Sequence, residues 1–348
     1  MEKQDIKSWN QKELEEFLVS LGEKPFRARQ IYAWIHGRQV SSFEEMTDIS
    51  KKLKEKLINT CELTSLKQVQ VQTSKQDGTR KYLFALSDGN MVESVLMRYH
   101  HGNSVCISSQ VGCRMGCRFC ASTLDGLVRN LTPAEMLDQI YQIQKEIGER
   151  ISHVVVMGTG EPLDNYENLL KFIQLVSDEN GVHISQRNLT VSTCGIVPKI
   201  RRLAEEHLQI TLALSLHAAS QEKRLELMPV ANKYEIGQVI DACRYYFAQT
   251  GRRITFEYSL VGGVNDSSQD AAQLAELIQG INCHVNLIPV NPIKECDYVQ
   301  STRQVVLDFK KKLEKYGINV TIRREMGRDI DGACGQLRKK AADAFNIL

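Results

Sequence analysis

The chain is predicted to be an α/β protein in which parallel βα units form a barrel or doubly wound sheet. A small helical unit precedes them, with a short β extension between. Three observations predict this. From about residue 104, short apolar runs alternate with amphipathic stretches of helical length. Residues 66–99 alternate apolar and polar positions around Asp77-Gly78 and Asp88-Gly89, both strong turn dipeptides. The first 60 residues instead space their apolar side chains as helices do.

Taken in order, 12–21 carries Leu14, Phe17, Leu18 and Leu21 on one helical face and stops at Gly22. The stretch 28–36 presents Ile31, Trp34 and Ile35 and ends at Gly37, and a third helix covers 51–60. Val69 and Val71, then Tyr82, Phe84 and Leu86, then Met91, Val95 and Met97 predict a small antiparallel sheet. Strands are expected at 104–108, 153–158, 188–193, 210–216, 253–260, 284–290 and 319–323, with helices such as 133–147, 166–176 and 269–279 between them. The organisation expected is a helical accessory domain over 1–65, a β extension over 66–98, a core over 99–330 and a C-terminal segment over 331–348. In such folds the chemistry gathers at the C-terminal ends of the strands.

At 348 residues, with roughly 150 per domain, the chain has room for a full core plus an appendage. Apolar residues make up 42% and charged residues 25%, which excludes a disordered or fibrous protein. No stretch approaches the ~20 apolar residues of a membrane span, and the charged start MEKQDIKSWNQKELEE lacks an apolar signal core. A cytoplasmic protein with no membrane partner, and a monomer, is the expectation. Lys and Arg (44) nearly balance Asp and Glu (42), so any polyanion-binding surface must be a local patch.

Four of the ten cysteines, Cys106, Cys113, Cys117 and Cys120, fall close together. The others, Cys61, Cys194, Cys243, Cys283, Cys296 and Cys334, are scattered, as buried small hydrophobes usually are. Cys113, Cys117 and Cys120 are spaced C-x3-C-x2-C on a loop just after the first expected core strand. Three thiolates without a fourth nearby suit a four-iron cluster with one open iron better than structural zinc, which wants four protein ligands. A zinc knuckle borrowing a remote ligand, or three unligated thiols, is the alternative. One βα unit later, Gly158-Thr159-Gly160-Glu161-Pro162 ends the second core strand. Its glycines would let backbone approach a ligand, and Glu161 would accept from an ammonium.

The triplet and this glycine turn resemble the radical S-adenosylmethionine (SAM) superfamily. The resemblance narrows through Cys106-Ile107-Ser108-Ser109-Gln110, Arg129-Asn130-Leu131-Thr132, Ser215-Leu216-His217-Ala218, Gly262-Gly263-Val264-Asn265-Asp266 and Asp329-Ile330-Asp331-Gly332-Ala333-Cys334-Gly335-Gln336-Leu337. Over about residues 26–337 these are similar to the RlmN type of radical RNA methyltransferase. Pro162 stands where the related carbon-8 (Cfr-type) enzymes tend to carry Ala. Cys194 departs from the usual Ser or Ile, which reads as a packing change.

The resemblance implies a partial parallel (β/α)6 barrel and one [4Fe-4S] cluster on Cys113, Cys117 and Cys120. It implies two SAM molecules per turnover, bound by Gly160, Glu161, Ser192, Ser215, Leu216, His217 and Asn291. The implied reaction methylates carbon 2 of adenosine 2503 in 23S ribosomal RNA and of adenosine 37 in tRNAs. Carbon 2 of adenine is electron-poor and cannot attack a methyl sulfonium, so a radical route is implied. Cys334 carries a methyl group that is joined to the ring, Glu93 removes the ring proton, and Cys106 frees the product by forming a disulfide. A flavodoxin-like electron donor is the implied partner. Carbon-8 methylation, or a non-catalytic iron–sulfur RNA-binding protein, are the competing readings. For RNA contacts, the basic residues nearest the cluster loop, Arg114, Arg118 and Arg129, are favoured over Lys199-Ile200-Arg201-Arg202, Arg252-Arg253, Arg323-Arg324 and Arg338-Lys339-Lys340. Trp9, Trp34, Arg27 and Arg29 suggest an RNA-facing surface on the N-terminal helices.

Overall fold

The computed structural model describes residues 3–290, 297–330 and 337. A short strand β1 (Gln4–Asp5) leads into helices α1 (Gln11–Ser20), α2 (Phe26–Tyr32), which runs on as a π turn over Ala33–Gly37, and α3 (Lys51–Thr60). Strand β2 (Cys61–Glu62) returns to pair with β1. Asn10 and Glu13 form a capping box that starts α1. The apolar stripes of the three helices join one continuous core with the rest of the molecule. That core takes in Trp34, whose ring is buried under the Arg38 guanidinium and whose Nε1 donates to Asp48. Trp9 packs edge-on to Phe17. Trp34 is thus a core residue and Trp9 is partly buried against the core, while Phe26 stays exposed beneath Arg27.

Next come β3 (Lys67–Thr73), β4 (Arg80–Ala85) and β5 (Met91–Tyr99), antiparallel as expected. They do not form a sheet of their own. β5 pairs antiparallel with β6 (Gly102–Ile107), the first strand of the parallel core. A hairpin, β7 (Gln110–Gly112) with β8 (Leu127–Asn130), follows β6. Then α4 (Pro133–Ile147) leads to β9 (Ile151–Val156), α5 (Tyr166–Ser177) to β10 (Leu189–Thr193), and α6 (Val197–Glu205) to β11 (Thr211–Ser215). Helices α7 (Gln221–Leu227) and α8 (Ile236–Thr250) precede β12 (Ile254–Leu260). After α9 (Ser268–Leu277), β13 (Cys283–Pro289) and α10 (Arg303–Lys315), β14 (Asn319–Ile322) ends the sheet.

The order is β14-β13-β12-β11-β10-β9-β6-β5-β4-β3, with every pair from β6 to β14 parallel. The six expected βα units are thus present, with a seventh parallel strand closing the series. Because side chains alternate along a strand, Val191, Leu214, Phe256 and Leu287 point to the helix-covered core. Their neighbours Ser192, Ser215, Glu257, Asn286 and Thr321 line the concave face, the last four being register partners across β11–β14. Among the described residues, no helix is long and apolar enough to cross a membrane.

The N-terminal segment is fastened to the core by a buried ion pair. Lys7 Nζ lies 2.6 Å from Asp138 on α4 and also donates to the Thr64 carbonyl. Asp138 in turn accepts from the Leu66 N–H at 2.7 Å. Removing one partner strands the other as a dry charge, which costs ~3–5 kcal/mol. Asp138→Ala should therefore lower unfolding free energy by about that much in urea titrations. The double variant Lys7→Met/Asp138→Leu should lose less than Asp138→Ala alone; strict additivity would contradict the pairing.

Candidate active site at the strand ends

The cysteine loop leaves the end of β7 through Gly112, whose φ of +74° and 2.0 Å Cβ approach to the Gly126 carbonyl exclude any side chain. Cys113 is buried, Cys117 and Cys120 are partly exposed, and none is in a disulfide. Burial pushes the Cys113 thiol up to about 12, and neighbouring thiols raise Cys117 further after burial. Among the described residues, no three His, Cys, Asp or Glu side chains converge on a single-ion site. Met115, Cys117 and Phe119 pack on Leu227 and Met228 at the end of α7 and on Cys194 beyond β10. Phe119 meets His217 edge-on, at 4.9 Å between ring centroids.

The glycines of the turn are also required by the chain itself. A Cβ on Gly158 would meet the Ile107 carbonyl at 2.7 Å, and one on Gly160 the Gln110 amide nitrogen at 2.8 Å. These glycines let β9 close onto the β6–β7 backbone, so the close approach they permit is to the chain itself. The Glu161 carboxylate is likewise occupied: it accepts from the Cys194 N–H at 2.7 Å and from the Leu163 N–H at 3.0 Å, joining the ends of β9 and β10. Burial raises its pKa. Ser192 Oγ lies 3.3 Å from Ser215 Oγ on the concave face. Leu216 is wholly buried in the main core, so only its backbone is offered at the site. His217 has a left-handed backbone (φ +57°), held by Asn265 Nδ2 donating to its carbonyl at 2.7 Å. Its Nδ1 accepts from the Ser259 N–H, and burial, helped by the Arg224 charge, pushes its pKa down to about 3.

Cys106 and Glu93 share the concave face, because β5 and β6 pair with Val95 opposite Cys106. Glu93 is buried and bridges to buried Lys81 at 3.0 Å. On that face Leu83 packs against Leu337, three residues beyond Cys334 in the sequence. Cys334 and Asn291 lie outside the described residues, as do Cys296 and the 338–340 basic triplet.

Of the basic residues flanking the loop, Arg118 is exposed. Arg114 pairs with Asp164. Arg129 pairs with Glu135 (2.8 Å) and Asp88 (2.6 Å). Sequence reasoning missed Lys81, Glu257, Arg224 and the concave-face role of Asn286. Asn265 sat inside a quoted motif, but alternation alone could have flagged only Glu257, a charged residue in a strand otherwise apolar at its ends.

Such a strand-end site, with a cysteine triplet over a parallel βα sheet, defines a radical SAM enzyme. Residues 107–275 match the radical SAM superfamily, and residues 4–63 match the ribosomal RNA large subunit methyltransferase N-terminal domain. A crystal structure of a radical SAM methyltransferase from Sphaerobacter thermophilus superposes with a TM-score of 0.92 at 41% identity, covering 96% of this chain and 98% of that one. The probable dual-specificity RNA methyltransferase RlmN of Lachnospira eligens is 67% identical over 97% of this chain and 96% of its own length. That of Lachnoclostridium phytofermentans is 62% identical, covering 98% and 96%. The chain belongs to the RlmN family of radical SAM methyltransferases.

The Glu161 clamp is testable apart from any cofactor. Glu161→Ala leaves two buried amides without an acceptor, at ~1–3 kcal/mol each. Its unfolding free energy should fall by roughly 2–4 kcal/mol in chemical denaturation, whereas Glu161→Gln, which keeps one acceptor, should lose less than half of that. An Ala variant as stable as the parent would contradict the clamp.

Proposed function

We propose that this protein methylates carbon 2 of an adenosine in 23S ribosomal RNA and in tRNA by way of a methyl group carried on Cys334. One observation carries the reading: a thiol, Cys106, and a buried carboxylate, Glu93, are on one face of the sheet by strand register, beside Leu83, which packs against Leu337, three residues past Cys334 in the sequence. Binding RNA alone would call for neither group. In this reading Cys113, Cys117 and Cys120 hold a four-iron cluster, and Gly160, Glu161, Ser192, Ser215, the Leu216 backbone, His217 and Asn291 hold SAM. Three thiols on one loop, above a buried cation that has no carboxylate partner among the described residues, suit an anionic cluster. When bound, the cluster and SAM supply one-electron chemistry and the methyl group, with electrons from a flavodoxin-like donor.

The chain's own residues do the rest. Joining the ring carbon to the carbon on the Cys334 sulfur costs one methyl hydrogen atom and one further electron, which SAM and the cluster, when bound, would take up. Glu93, held by the Lys81 ammonium, takes the ring proton. The Cys106 thiolate then attacks the Cys334 sulfur: the S–S bond forms as the S–C bond breaks, and the electron pair left on carbon takes a proton to give the methyl group. His217, kept neutral, adds no charge beside the loop.

Cys106→Ala should therefore stop the reaction at a protein–RNA adduct that survives denaturation and maps by mass spectrometry to Cys334. Cys334→Ala should give neither adduct nor product. Normal turnover by Cys106→Ala, or an adduct on another cysteine such as Cys194, would contradict the two-thiol route.

A further inference from the structure

Arg224, on α7, is wholly buried and is the bulkiest of the fully buried side chains among the described residues. Two other wholly buried cations, Lys7 and Lys81, each face a carboxylate. Arg224 does not: among the described residues no carboxylate lies within ion-pairing distance. Its Nη1 donates to the carbonyls of Leu216 (2.8 Å) and Ser215 (3.3 Å) and lies 3.3 Å from the Met228 sulfur. Its Nη2 donates to the Cys194 carbonyl at 2.6 Å, and its Nε has no partner. Carbonyl dipoles orient a guanidinium but do not neutralise it, and a dry uncompensated charge is strongly unfavourable. The fold has nonetheless made room for it. Gly195 has a φ of +106°, and a Cβ there would stand 3.1 Å from Arg224 Nη2.

What lies above this cation is the cysteine loop. The layer that packs Leu227, Met228 and Cys194 together also holds Met115, Cys117 and Phe119. The Arg118 N–H, between Cys117 and Cys120, donates to the Leu227 carbonyl at 3.0 Å, so the last turn of α7 is bonded directly to the loop. A cluster ligated by three thiolates is a net anion, and it becomes more negative when reduced by one electron. The missing counter-charge of Arg224 and the missing counter-charge of such a group are the same pairing seen from two sides.

We propose that Arg224 is the buried counter-charge of the cluster and a positioning residue for its loop, raising the cluster's reduction potential while tying the ends of β10 and β11 beneath it. The assignment rests on the reading that Cys113, Cys117 and Cys120 hold a four-iron cluster. A nearby fixed cation lowers the cost of the added electron, and net charge and hydrogen bonding are the terms that set such potentials.

The test uses the full-length protein with its cluster reconstituted anaerobically, without SAM, reduced stepwise by dithionite with mediators and followed by electron paramagnetic resonance. Iron and sulfide are assayed in each sample. Arg224→Gln should make reduction at least tenfold less favourable, a shift of about 59 mV to more negative potential for a one-electron couple. Arg224→Lys, which keeps the charge, should recover most of that shift. A Gln variant that cannot hold the cluster while the Lys variant holds it also supports the assignment, since charge is then what matters. A Gln variant with full iron and the parent potential overturns it, as does equal loss of the cluster in both variants. Parent protein without four irons and sulfide would overturn the cluster reading itself, and this assignment with it.

Discussion

The antiparallel pairing of β5 with β6 decides what the concave face of this protein can do. Val95 stands opposite Cys106, which places Cys106, Glu93, Lys81 and Leu83 on one side of the sheet and Tyr82, Phe84, Val92 and Val105 on the other. A slip of β5 by one residue against β6 would leave Cys106 in place but turn Glu93 into the helix-covered core, bringing Val92, Tyr82 and Phe84 out in its place. Burial of the aromatic face fixes that register, while the buried Lys81–Glu93 bridge ties β4 to β5 on the other face. The register also explains why β3–β5 continue the core sheet. A separate small sheet could not bring Glu93 into line with the first parallel strand.

The mouth of the barrel depends on a second set of constraints. Parallel strands end with amides and carbonyls that have lost their ladder partners, and here they are buried. Glu161 takes the Cys194 and Leu163 amides, Arg224 takes the Cys194, Ser215 and Leu216 carbonyls, and Asn265 takes the His217 and Ser259 carbonyls. Each clamp joins neighbouring strand ends, so the loops that carry the chemistry rise from a rigid base. Residues marked in the sequence for ligand contact thus have a structural duty first. Glu161 is the clearest case: its carboxylate is already committed to backbone before any ligand arrives.

Much of this was legible in the sequence. The seven parallel strands fall within a few residues of their expected positions, because apolar runs bounded by glycine and polar turns leave few alternatives. The cysteine spacing and the Gly158–Pro162 turn identify the site because few chemistries need those residues there. What sequence could not show follows from geometry. Trp34 looks the same in a helical pattern whether its ring faces solvent or core. Arg129 looks like a free cation until Asp88 and Glu135, distant by different amounts in sequence, close on it. Arg224 sits in an amphipathic helix among charged neighbours, and only the packing of the cysteine loop over α7 reveals it as buried. Nothing in the sequence shows that Glu93 is buried against Lys81, which only the register brings to it.

The central claim is methyl transfer to carbon 2 of adenine, and nucleoside mass spectrometry tests it most directly. Ribosomal RNA and tRNA from cells lacking the gene would be compared with the same RNAs from cells that express it, after digestion to nucleosides. The account predicts 2-methyladenosine in both RNA classes when the protein is present and its loss from both when it is absent. Appearance of 8-methyladenosine instead, or identical methyladenosine content with and without the protein, would contradict it.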